Sequence, residues 1–92
     1  MSRKSLIQSY VDHLIEQGAP EKVGATGMVA LIYIAIKGQR DQVQISNQEL
    51  ISVTGISSNS GFWAMRKRLA DTGFVTIESS KGRVAPKYQI VF

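Results

Sequence analysis

The residues in this sequence best equipped for chemistry are cations, and they gather in one part of the chain. Arg66, Lys67 and Arg68 stand in a row; a run of small polar residues, Ser57, Ser58, Asn59 and Ser60, precedes them, and Lys81, Arg83 and Lys87 follow. Cations beside hydroxyl and amide groups suit the binding of a polyanion. Charge supplies the attraction, and the neutral groups supply directed hydrogen bonds. From Met1 to Ile56, five basic residues balance five acidic ones, whereas Ser57 to Phe92 carries six basic against two acidic. The formal excess of +4 therefore lies wholly in the last part of the chain. If nothing binds there, the same charges read as a solvated surface.

Bond-breaking chemistry has little to work with. His13 is the single histidine and cysteine is absent, which removes the usual zinc sites and any Cys–His pair. The carboxylates are scattered, and the glycines form neither a phosphate loop nor a dinucleotide fingerprint. The sequence thus predicts no catalytic residues, no metal, no cofactor and no small-molecule ligand: a protein that is not an enzyme. His13 is expected on the surface.

The elements that must position the cations can be read from periodicity. Leu6, Ile7, Tyr10, Val11, Leu14 and Ile15 recur at helical spacing and predict an amphipathic helix over about Ser2 to Gln17, stopped by Gly18 and Pro20. Met28 to Ile36 is an apolar run of nine residues, read as a central helix buried nearly all round, with Gly24 and Gly27 leaving its start open. It is about half of a membrane span. The mixed polarity of the N-terminal stretch is not that of a signal peptide. A soluble, cytoplasmic protein is expected.

Val43 to Ile45 could form a short strand after a polar loop. Ser46 and Glu49 make a capping box, in which the Ser46 hydroxyl takes the Glu49 amide and the Glu49 carboxylate reaches back to the Ser46 amide. The helix so begun runs to about Val53 or Thr54 and stops at Gly55. Another follows from Ser57–Asn59 to about Asp71 or Thr72, with Phe62, Met65 and Leu69 inward and Gly73 closing it. The period then changes to two: Phe74 to Ser79, a turn at Ser80–Arg83, and Tyr88, Ile90 and Phe92 alternating with polar neighbours predict a hairpin. Pro86 belongs at the start or edge of its strand, and Tyr88 in the hairpin core.

Ile45-Ser-Asn-Gln-Glu-Leu50, Thr54-Gly-Ile-Ser57, Arg66-Lys-Arg-Leu69 and Thr72-Gly-Phe-Val75 follow one another in a familiar order. Over about Ile45 to Phe92 the chain resembles the winged helix-turn-helix family. There an apolar residue and Ser precede xxELxxxTGIS, and the next helix ends RxxLxxxGLI. Ala64-Met65-Arg66 and Pro86-Lys87-Tyr88 are similar to the corresponding stretch of phage and plasmid replication initiators and of DnaD-like replisome organisers. The resemblance implies an α+β, mostly helical fold over residues 1–92 as one domain. Its parts would be an N-terminal helix at 1–17, a helix-turn-helix at 46–72 and a wing hairpin at 74–92. It implies double-stranded DNA as partner, in transcription regulation, replication or plasmid maintenance.

Within that frame Ser58, Asn59, Ser60 and Lys67 are the expected groove-facing set, Lys67 and Arg68 the phosphate contacts, and Lys81, Arg83 and Lys87 the cations of the wing. Trp63 stands either against sugar and thymine methyls, or over the core, or in a subunit interface. Arg66 falls nearer the core side. The N-terminal helix is the candidate dimer element. The rival function is a protein-interaction or oligomerisation module on the same fold.

Overall fold

The computed structural model describes residues 5–79 and 84–92. Within them the elements run α1 (Leu6–Glu16), α2 (Ala19–Gly38), β1 (Val43–Gln44), α3 (Asn47–Thr54), α4 (Asn59–Thr72), β2 (Val75–Glu78) and β3 (Lys87–Ile90). The fold is α+β and mostly helical, with a small antiparallel sheet in the order β1-β3-β2.

α1 starts later than its periodicity suggests. Ser5 is extended and its hydroxyl accepts the Gln8 amide at 3.1 Å, so the helix opens at Leu6 rather than near Ser2. Residues 1–4 lie outside the described residues. Tyr10 and Leu14 are fully buried, and Leu6 and Ile7 pack against the core, so the chain itself covers most of this helix's apolar side. Ile15 is exposed. His13 is not a free surface residue: it is half-buried, its ring 6.2 Å from that of Phe74 and 5.8 Å from that of Phe92.

α2 is longer than the apolar run that announces it. It begins at Ala19, and Pro20 sits in its first turn, where a missing amide costs nothing. Pro20 therefore opens a new helix as well as ending the old one. Gly24 (φ 75°, ψ 177°) breaks the regular path and kinks the helix there. α2 touches α1, α3, α4, β1 and β3, and buries Val23, Ala30, Leu31, Ile34 and Ala35 against them. It is not buried all round: Val29 and Ile36 are 42% and 54% exposed, because those neighbours cover only one side of it. By length and composition alone α2 could cross a membrane, but its apolar side forms the centre of this core.

Ser46 caps α3 through the Glu49 amide at 3.1 Å, as the capping box requires. The reciprocal arm is absent. The Glu49 carboxylate turns to α2 instead, accepting the Tyr33 hydroxyl and lying 3.5 Å from the Lys37 ammonium. An ammonium and a phenol together outcompete one backbone amide for a carboxylate.

α3 ends at Gly55 in the left-handed conformation (φ 73°), which a side chain adopts only with strain. That turn swings the chain into Ser58, whose hydroxyl accepts the Gly61 amide at 3.1 Å and starts α4. The hairpin forms with Val75 opposite Ile90 and Ile77 opposite Tyr88; β1 then adds to the outer side of β3, with Val43 opposite Tyr88. The Pro86 carbonyl, just ahead of β3, accepts the Ile45 amide at 3.2 Å. The ladder stops at Ile90, so Phe92 is no longer a strand residue. It packs edge-on to Tyr10, ring centres 5.3 Å apart.

Candidate nucleic-acid interface

α4 has two sides of opposite character. Phe62, Met65 and Leu69 point into the core at the spacing of one helix face, with Arg66 buried beside them. Ser60, Ala64, Lys67, Arg68 and Asp71 are all exposed, as are Ser58 and Asn59 at the N-terminal end. Burial of the apolar stripe fixes the rotation of the helix, and with it the direction of the cations. Neither Lys67 nor Arg68 pairs with a carboxylate among the described residues. The first turn of α4 also presents the positive end of the helix dipole, to which an anion is attracted. Ser58 is not wholly free for a ligand, since its oxygen already accepts the Gly61 amide.

Trp63 is 54% exposed. Its ring meets Phe62 edge-on at 5.5 Å and lies 5.2 Å from the Arg66 guanidinium. Arg66 is the functional candidate that spacing alone undervalued. It is 8% exposed and ties α4 to α3, to β3 and to the residue that follows β2. Its guanidinium donates to Asn47 Oδ1 of α3 at 3.4 Å and to Ser79 Oγ, just after β2, at 3.3 Å, and it lies 5.8 Å over the Tyr88 ring of β3. Both hydrogen bonds are at the long limit. No carboxylate neutralises this guanidinium among the described residues. The sequence signal was its place one turn after Phe62, on the core side of the helix.

Tyr88 lies in the hairpin core as expected, fully buried, with no hydrogen-bond partner for its hydroxyl among the described residues. Burial raises its pKa above the ordinary tyrosine value, and Arg66 works in the other direction. Between α4 and β2 an open groove of about 280 Å³ is lined by Trp63, Arg66, Lys67, Ala70, Ile77 and Ser79.

Lys87 is set apart from this face. It stands in β3 between Gln44 and Glu78, and strand alternation turns it to the side of the sheet opposite Tyr88. Lys81 and Arg83, the other expected wing cations, lie outside the described residues. The structure thus brings Asn59, Ser60, Trp63, Lys67 and Arg68 onto one helix with Ser58 as its cap, and places Lys87 elsewhere. Comparison of the chain with known protein families, with curated proteins and with solved structures finds no match.

Proposed function

We propose that this chain is a winged helix-turn-helix domain that binds double-stranded DNA, with α4 as the recognition helix. The observation that carries the reading is the outer side of α4, where Lys67 and Arg68 stand exposed and unneutralised among the described residues, in line with an exposed Ser58–Ser60 turn. The order of elements supports it: α3, a tight turn at Gly55, α4, and then a hairpin whose central strand also pairs with β1. In this reading Asn59 and Ser60 meet base edges or phosphates at the helix N-terminus, while Lys67 and Arg68 neutralise phosphates. The protein is a cytoplasmic, non-catalytic DNA binder acting in transcription, replication or plasmid maintenance. Binding to labelled duplex DNA over a range of salt tests it. Affinity should fall with salt by a logarithmic slope of about 0.9 per phosphate contact. Lys67→Glu with Arg68→Glu should abolish binding; a double variant that still binds removes α4 from the interface.

One observation favours an added oligomeric role. Ala25, Val29, Ile32 and Ile36 run along the uncovered side of α2 at alternating spacings of four and three, the pattern of a coiled-coil seam. With Tyr33 and Val53 the larger of them line an apolar groove of about 230 Å³. The occupant we propose is a second copy of the same helix. Antiparallel pairing about a two-fold axis sets small Ala25 of one copy against large Ile36 of the other, and Val29 against Ile32. Sedimentation should then show a dimer that Ile36→Glu converts to monomer; a wild-type monomer at high concentration overturns it.

A further inference from the structure

We infer that the groove between α4 and β2 is a subsite for one unpaired nucleotide, its phosphate held by Arg66 and Lys67 and its base stacked on Trp63. This rests on the reading of α4 as a nucleic-acid face, and adds to it a strand type that duplex binding does not require.

The argument begins with Arg66. A guanidinium this buried has lost most of its water, and such a group ordinarily has a carboxylate partner. Here it has two long hydrogen bonds to neutral oxygens and two aromatic rings. It also lines the groove, so an anion that enters meets a cation already desolvated and held in place from α3, α4 and the sheet. Lys67 adds a second, exposed cation at the same groove, and Ser79 a hydroxyl.

The rest of the lining decides what kind of anion fits. Ala70 and Ile77 are apolar and Trp63 offers an exposed indole. A bare phosphate has no use for these surfaces. A nucleotide does: its base supplies an aromatic face and its phosphate the charge. Bases inside a duplex have both faces covered by their neighbours, so only an unpaired base can stack on Trp63. Single-stranded nucleic acid, or the unpaired end of a duplex, presents that combination.

Trp63 is the only tryptophan in the chain, so its fluorescence reports on this site directly. At low salt, oligothymidine should quench it. Thymidine monophosphate should quench it more weakly, and thymidine, which lacks the phosphate, should not. Trp63→Ala should weaken binding of a labelled oligothymidine about tenfold, and Trp63→Phe should recover most of that loss, since stacking needs an aromatic face. Lys67→Gln should also weaken it. Both positions are exposed, so these variants stay informative if substitution of buried Arg66 prevents folding. The inference is overturned if oligothymidine leaves Trp63 emission unchanged, if thymidine quenches as well as its monophosphate, or if Trp63→Ala binds oligothymidine like the wild type. Duplex binding without single-strand binding removes this subsite and leaves the duplex reading. Single-strand binding without duplex binding does the reverse, and binding of neither removes both.

Discussion

The hydroxyl of Tyr10 donates to the main-chain carbonyl of Phe74 at 2.6 Å, joining residues 64 positions apart and fastening α1 to the start of β2. The bond is buried, and burial raises the Tyr10 pKa well above the ordinary tyrosine value. The same carbonyl also accepts the Val91 amide at 3.0 Å, so one oxygen holds the first helix and the end of the chain.

Because Val91 remains as a donor, Tyr10→Phe should leave the carbonyl partly satisfied and cost about 1 kcal/mol. For a domain of this size that lowers Tm by about 4–8 °C. Urea and thermal unfolding measure it. A loss of about 3 kcal/mol or more would mean that the hydroxyl does more than hold this carbonyl.

The Tyr33–Glu49–Lys37 cluster predicts a pH dependence. The hydrogen bond from Tyr33 chiefly holds the Glu49 carboxyl below the usual carboxylate range; desolvation opposes it, and Lys37 adds to the lowering. A folded-state pKa below the unfolded one gives stability that is complete above the ordinary glutamate value and is lost as pH falls through the folded one. Tyr33 is raised, chiefly by the same bond, so its share is lost only as pH rises past the ordinary tyrosine range. Glu49→Gln should flatten the acid limb of a stability–pH profile; a variant with an unaltered acid limb would dismiss the cluster as a source of stability.

Ser58 separates capping from binding. Ser58→Ala removes the acceptor of the Gly61 amide and should cost about 1 kcal/mol. Ser58→Asp keeps a good cap and suits the helix dipole, so stability should stay within about 0.5 kcal/mol of the wild type. The new negative charge at the start of α4 should nonetheless weaken duplex binding. Equal DNA affinity in wild type and Ser58→Asp would place the helix N-terminus away from the phosphates.

Tyr88 makes the opposite case to Tyr10. Its hydroxyl is buried with no partner among the described residues, so Tyr88→Phe removes a polar group that stabilises nothing there. The variant should be as stable as the wild type or more so, by up to about 1 kcal/mol. Destabilisation beyond about 1 kcal/mol in chemical unfolding would reveal a partner for the hydroxyl.

Local structure was legible in the order of the residues alone. The Leu6–Leu14 periodicity, the Ser46 and Ser58 caps, the stop at Gly55 and the change of period after Gly73 all act within a few residues, and each marks an element of the fold. The outward direction of Lys67 belongs here too, because the stripe of Phe62, Met65 and Leu69 sets it through helix geometry alone. Which distant groups meet depended on how the elements pack. Glu49 left its capping box for Tyr33 and Lys37 once α2 and α3 packed together. Arg66 became a buried cation because Asn47 of α3, Ser79 just after β2 and Tyr88 of β3 gather around it. Lys87 turned away from α4 through its register with Glu78, and α2 kept an apolar side uncovered because its neighbours pack on the other. Spacing along a chain encodes the direction of a side chain relative to its own helix or strand; its partner depends on how the elements pack, which no single segment contains.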